Sequence, residues 1–228
     1  REIAEMFDRI APRYDRLNRV LSFGTDVSWR RRAIALARLG PRQRGLDIGA
    51  GTGDLTIGLL RASDPASAVL ALDLAPRMLA IAQRRLIATG LSRRAVPVLG
   101  NAESLPLPDA SVDRIVSGFT LRNIGDLPRA LREMRRVLRP GGRIVLLELS
   151  HPPSAAFGAV YRWYFERVAP RVAAVFGGDQ GAYRYLPRSL RPFPRAETLA
   201  STIAESGFSD SRFERLTLGI AAIHTARK

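Results

Sequence analysis

Three glycines, Gly49, Gly51 and Gly53, occupy every second position of the stretch GLDIGAGTGDLT, behind a short apolar run and ahead of a helical one. Turns of this kind let the backbone approach a ligand closely because no Cβ intervenes, and many of them hold phosphate. Here the neighbouring acids argue for a different ligand. Asp47 lies inside the strand that enters the turn, and Asp73 ends the next strand, roughly 20 residues on, where a carboxylate suits the two hydroxyls of a ribose. A carboxylate at Asp47 repels phosphate and attracts an ammonium. The G-x-G-x-G spacing differs from the G-x-G-x-x-G of dinucleotide sites, and no lysine follows as in a triphosphate-binding loop. The combination fits S-adenosylmethionine, which carries ribose, ammonium and sulfonium but no phosphate. Asn101 and Ala102, after the third strand, offer an amide and adjacent N–H groups that can read adenine. With Gly49, Gly51, Thr52 and Gly118 they complete the expected cofactor set. The plain alternative is a turn that only joins strand to helix, with both acids capping helices. Acids at strand ends, where open α/β sheets bind ligands, weigh against it.

The elements that must position these residues are legible as an alternation. Apolar runs at 44–49, 68–74, 95–100, 112–118 and 142–149 read as strands, several of them apolar enough to be buried on both faces. Helical patterns fill 53–62, 76–89 and 126–138, the last closed by RPGG, where Pro140 cannot continue a helix and Gly141 supplies a left-handed exit. A helix follows in AETLASTIAESGF, then two strands at 209–216 and 219–227. This order predicts an α/β fold: a doubly wound, mostly parallel seven-stranded sheet with an antiparallel C-terminal edge hairpin. Residues 1–40 read as helical, and 151–194, rich in aromatics and broken by Pro and Gly, as a cover over the strand ends.

Composition bounds the chemistry. The 228 residues, 46% hydrophobic, suit one domain. There is no cysteine, which removes thiol nucleophiles and thiolate-ligated metals; His151 and His224 are isolated, and no metal is expected. Lys228 is the one lysine, so Schiff-base chemistry has no candidate. The net charge of +15 suggests a polyanion or an anionic membrane surface. Arginine bias in the composition produces the same charge without either, and no stacked aromatic platform or appended basic domain supports nucleic acid. No nucleic-acid partner is expected. No apolar run is long enough to span a bilayer, and the charged start REIAEMFDRIAPRYD argues against a secretory signal, so a cytoplasmic location is the expectation.

The stretches LDIGAGTGDL, ALDLAPRML, GNAESLPLPD and RVLRPGGRIVLLELS resemble S-adenosylmethionine methyltransferases of the Rossmann-like class. YDRLNRVLSFGTDVSW (14–29), FTLRNIGD (119–126), the 148–150 strand ending and YRYLPRSLRPFP (183–194) narrow this to a resemblance to the ubiquinone/menaquinone biosynthesis C-methyltransferase family. Asp26 departs from it, standing where many members carry histidine. The resemblance implies transfer of a methyl group to a ring carbon of a prenylated hydroquinone: demethylmenaquinol first, or the benzoquinol precursor of ubiquinone. It also implies that Arg122 and Asn123 handle the quinol oxygens and that Tyr14 and Asp15 belong to a flap over the cofactor. Tyr14, Tyr161, Tyr183 and Tyr185 are the candidate substrate contacts. An apolar run with interleaved Arg162, Arg167 and Arg171 suits peripheral contact with an anionic membrane, and a homodimer is compatible with the sequence. An RNA or small-molecule methyltransferase, or a catalytically silent cofactor-binding module, are the rival readings; a structural pairing of Arg122 with Asp126 is the plain alternative for that arginine.

Overall fold

A computed structural model describes residues 2–11, 14–169, 171 and 188–228. Among them seven strands form one sheet in the order β3-β2-β1-β4-β5-β7-β6, with β1 at Arg44–Ile48, β2 at Ala68–Asp73, β3 at Ala95–Leu99, β4 at Val112–Gly118, β5 at Leu138–Leu149, β6 at Ser209–Leu216 and β7 at Ala221–Arg227. The first five run parallel. β7 inserts antiparallel between β5 and β6, which makes the expected hairpin the sheet edge. Strand order reverses between β1 and β4, so a crevice opens at their carboxyl ends.

Why the sheet forms there follows from burial. Leu46, Ile48, Ile115, Val116 and the run Ile144–Leu147 are essentially inaccessible, as strands covered by helices on both faces must be. Helices α4 (Asp54–Ala62), α5 (Pro76–Ala88) and α6 (Leu127–Val137) connect these strands, each close to its expected bounds. Asp126 opens α6 by accepting from the Arg129 backbone N–H at 2.9 Å. The structure corrects one detail. RPGG is not a loop between α6 and the last parallel strand; β5 already begins at Leu138, and its register against β4 jumps from Val112↔Leu138 to Arg114↔Arg143. Gly141, at φ 74°, absorbs the extra residues as a bulge.

The N-terminal segment resolves into α1 (Glu2–Ile10), α2 (Tyr14–Leu21) and α3 (Thr25–Ala37). In α3 the residues Asp26, Trp29, Ala33 and Ala37 are buried, the three- and four-residue spacing of one helix face. Trp29 anchors that face by donating from its indole to Thr217 Oγ1 at 2.8 Å. In the cover, α7 (Ala155–Trp163) continues as a π-helical turn over Tyr164–Val168, and α8 (Ala196–Glu205) packs beside the hairpin. Both histidines are structural: Nε2 of His151 meets the Phe193 carbonyl at 2.8 Å, and that of buried His224 meets the Ala196 carbonyl at 2.9 Å.

Candidate active site

The glycine turn sits where the strand order reverses, and its backbone is left-handed at Gly49 (φ 71°) and Gly51 (φ 55°). The two need glycine for different reasons. A Cβ on Gly49 would run into the Thr120 side chain, whereas one on Gly51 would meet nothing within 4 Å, because that position faces open space. The space is a cavity of about 370 Å³ lined by Gly49, Ala50, Gly51, Thr52, Asp73, Asn101, Ala102, Gly118 and Asn123 together with Asp15, Asp54, Glu103, Arg30 and Phe119.

Asp73 is held there by the backbone. Gly51 N–H donates to Oδ2 and Ala75 N–H to Oδ1, both at 2.8 Å. Each carboxylate oxygen accepts more than one bond, so both can also take a ribose hydroxyl. Burial pushes the Asp73 carboxyl above its ordinary range, opposed by those two N–H groups. Asn101 folds into a local turn, its Oδ1 accepting from Glu103 N–H at 3.0 Å.

Thr52 faces the cavity but also clasps the N-terminal segment. Its hydroxyl donates to the Asp15 carboxylate at 2.8 Å, and Arg85 bridges Asp15 at 3.0 Å and Asp54 at 2.5 Å. Helix α2, which carries Asp15, is fastened to the glycine turn by this Asp15–Thr52–Arg85 cluster. Burial, then the Asp54 charge, raises the Asp15 carboxyl. The Tyr14 side chain lies outside the described residues, as do Tyr183 and Tyr185.

Asp47 does not line the cavity, contrary to its expected part in meeting the ammonium directly. Its side chain is fully buried behind the turn. Oδ2 accepts from the Thr56 hydroxyl at 2.6 Å, while Oδ1 has no partner among the described residues. Burial pushes its carboxyl up to about 7, against the Thr56 bond and the Arg30 charge, which lower it. β1 is buried from Gly45 to Ile48, so Asp47, two residues before the turn, lies inside the covered sheet.

A second cavity, also about 370 Å³, adjoins the first and shares Phe119 with it. Its lining is aromatic and aliphatic: Leu21, Phe23, Trp29, Leu149, Phe157, Val160, Tyr161, Trp163, Tyr164, Phe165 and Ile220, with Arg122 and Asp26 among the few polar groups. The structure thus separates the pair LRN, sending Asn123 to the cofactor cavity and Arg122 to the apolar one. Arg122 does not pair with Asp126. It forms a buried ion pair with Glu148 at 2.5 Å, donates to the Phe119 carbonyl at 2.7 Å, and is 5% exposed against 1% for Glu148. Tyr161 packs on Phe165 with ring centroids 4.6 Å apart. Its hydroxyl is buried without a partner among the described residues, and burial pushes its pKa upward.

Arg30 and Phe119 escaped the sequence reading. Arg30 is one of many arginines, and only the i,i+4 spacing from Asp26 marks it; Phe119 adopts φ 60°, a backbone state no pattern in the sequence signals.

The first cavity is therefore roomy, carries more acids than bases and includes a carboxylate, Asp73, able to accept from hydroxyls, which suits a cationic nucleoside and disfavours a pyrophosphate. Residues 1–228 match the ubiE/COQ5 methyltransferase family. The chain belongs to that family. It is 50% identical over 219 residues to the demethylmenaquinone methyltransferase of Thermus thermophilus, covering 96% of this chain and 98% of that one. Identity is 46% to the Deinococcus radiodurans demethylmenaquinone methyltransferase, covering 99% and 92%, and 40% to the Geobacter sulfurreducens ubiquinone/menaquinone biosynthesis C-methyltransferase, covering 99% and 88%. In fold it is similar to SAM-dependent methyltransferases from Thermotoga maritima (TM-score 0.70, 22% identity, 98% of this chain and 99% of that one) and Aquifex aeolicus (0.61, 17%, 82% and 83%). The ubiE/COQ5 chain described here is an S-adenosylmethionine-dependent methyltransferase, and the sheet and cofactor expected from its sequence hold.

Proposed function

We propose that this enzyme methylates a ring carbon of a prenylated hydroquinone, with demethylmenaquinol as substrate. The observation that carries the reading is the apolar cavity placed against the cofactor cavity across a single aromatic wall, Phe119. The names of the relatives at 50% and 46% identity favour the naphthoquinol. The benzoquinol precursor of ubiquinone is the second reading, favoured by the name of the Geobacter relative.

S-adenosylmethionine supplies the electrophilic methyl group, and the chain supplies placement and electrostatics. Asp73 and the turn hold the nucleoside side, while Trp29, Phe119, Tyr161 and Phe165 clamp the ring and exclude water. Orientation is the larger contribution: well-placed reactants lower a barrier by roughly 7–11 kcal/mol, against about 3–5 kcal/mol for a positioned proton-transfer group. Ring carbon attacks well only when the adjacent oxygen carries phenolate character. Arg122, locked by Glu148 and the Phe119 carbonyl, stabilises that negative charge and does not itself accept a proton. Tyr161, kept neutral by burial, hydrogen-bonds a quinol oxygen. Asn123, in the cofactor cavity, works from the other side of Phe119.

The prenyl tail leaves through the rim of the apolar cavity, where Phe23 is 80%, Val160 61% and Trp163 58% exposed. No described helix is long and apolar enough to cross a membrane. We assign the rim, flanked by exposed Arg162 and Arg167, to peripheral contact with anionic lipid. Flotation with anionic vesicles at low salt checks this, and absence of enrichment removes it. For the reaction, reduced demethylmenaquinone and its benzoquinol counterpart are offered with methyl-labelled cofactor. Label in the naphthoquinol is the expected result; label in neither rejects the reading.

A further inference from the structure

The cofactor presents a cationic sulfonium and ammonium and one anionic carboxylate, and the charged side chains lining the cavity that takes it are mostly acidic. Asp15, Asp54, Asp73 and Glu103 line it, and Arg30 is the one cationic side chain among the described lining residues. Cations are served by that charge. The carboxylate is not, and four amides of the turn, of the kind that meet anions in many nucleotide sites, are engaged elsewhere. Gly49 N–H and Ala50 N–H donate to the Leu72 carbonyl at 2.8 and 3.0 Å, Gly51 N–H to Asp73 at 2.8 Å, and Gly53 N–H to the Ala50 carbonyl at 2.9 Å. The Thr52 hydroxyl is given to Asp15.

We propose that Arg30, projecting from α3, is the residue that binds the carboxylate of the cofactor's amino-acid end. Its position is fixed from behind. The guanidinium carbon stands 5.0 Å from the centre of the Phe119 ring, within cation–π range, and Nε lies 3.5 Å from Asp26 Oδ2. Asp26 is itself buried and oriented by the Ser22 hydroxyl at 2.9 Å. Among the described residues the buried Arg30 Nε has no hydrogen-bond partner, so charge and stacking, with no hydrogen bond to Asp26, hold the head at the cavity. Its charge also reaches the turn, lowering both Asp15 and Asp47 against the larger effect of burial. A bound carboxylate would thus lie between the glycine turn and the Phe119 wall, and the guanidinium that binds the cofactor's tail would rest on the ring that borders the quinol cavity. The assignment depends on the cofactor alone and not on which quinol is methylated.

The test is calorimetric binding of S-adenosylmethionine and of its decarboxylated form, which differ in the carboxylate, to the full chain, Arg30→Met and Arg30→Lys. Because Arg30→Met leaves Asp26 buried beside an apolar chain, Asp26→Asn/Arg30→Met is measured alongside it, and thermal melts establish that each is folded. The native chain is expected to prefer the carboxylated ligand. Both Met variants should lose about ten- to a hundredfold in affinity for it, the worth of one charged hydrogen-bonding contact, while binding the decarboxylated ligand within twofold of the native chain. Arg30→Lys should restore part of the preference. Retention of the preference in the double variant overturns the assignment. So does a parallel loss for both ligands, which would mark Arg30 as structural, or a native chain that binds the two alike.

Discussion

The two cavities have the same volume, about 370 Å³ each, and opposite construction. The cofactor cavity is lined by acids and backbone at the ends of β1 to β4; the apolar one by side chains from α2, α3, the end of β5, α7 and the turn before β7. Acids outnumber bases in the first, and fixed N–H groups hold one of them, Asp73. In the second a single buried ion pair, Arg122 with Glu148, sits among aromatics, where its field is screened least. On the proposed reading, one site recognises by charge and the other by shape, with one charged pair beside the reacting ring.

This contrast breaks most sharply at Arg122. Arg122→Ala should lower kcat by about two to four orders of magnitude while leaving cofactor affinity within about twofold, since the residue lines only the apolar cavity. It also leaves Glu148 buried and unpaired, a loss of about 3–5 kcal/mol in stability. Arg122→Leu/Glu148→Leu should recover most of that stability but none of the turnover. Recovery of both would make the pair a scaffold. At Asp73 the effect falls on the other cavity: Asp73→Ala should weaken cofactor binding roughly tenfold to several hundredfold, the loss of hydrogen bonds from ribose to a charged acceptor, with quinol binding unchanged by fluorescence titration.

A third prediction concerns pH. Asp47 in the folded chain holds its proton to about 7, against 3.8 for the free group. Between those values the unfolded chain binds fewer protons than the native one, so this residue's contribution makes stability fall as pH rises and level off above 7. Asp47→Asn removes that decline. The variant's stability relative to the native chain, from urea denaturation, should therefore rise between pH 4 and pH 8 by at most about 4 kcal/mol. A constant difference would mean that Asp47 is ionised throughout. The smallest effect is expected at the rim, where Trp163→Ala and Phe23→Ala should raise KM a few-fold for vesicle-borne quinol, and less for a short-tailed analogue dispersed in detergent.

The same contrast decides what the sequence discloses. Gly49, Gly51, Thr52, Asp73, Asn101, Ala102 and Gly118 line one cavity, and each lies at or just beyond a strand end, which local apolar runs mark in the sequence. Asp47 is the instructive exception: the same strand pattern that located it also turns it inward, two residues short of the turn. The apolar cavity has no local signature. Arg122 is marked by resemblance, but its partner Glu148 lies 26 residues away on the neighbouring strand, so the nearer Asp126 is the natural but incorrect choice. Asp126 instead caps α6. Arg30 is hidden by the abundance of arginine. The sheet, by contrast, is legible nearly to the residue, except at RPGG, where a bulge extends β5 back to Leu138.

Phe119 forms part of the lining of both compartments, and its left-handed backbone and the guanidinium stacked on it fix where it stands. Neither chamber can be widened at this point except at the other's expense. A bulkier ring system is therefore accommodated here only by crowding the methyl donor, and the reach of the enzyme across quinol nuclei is set by how far one phenyl group can tilt.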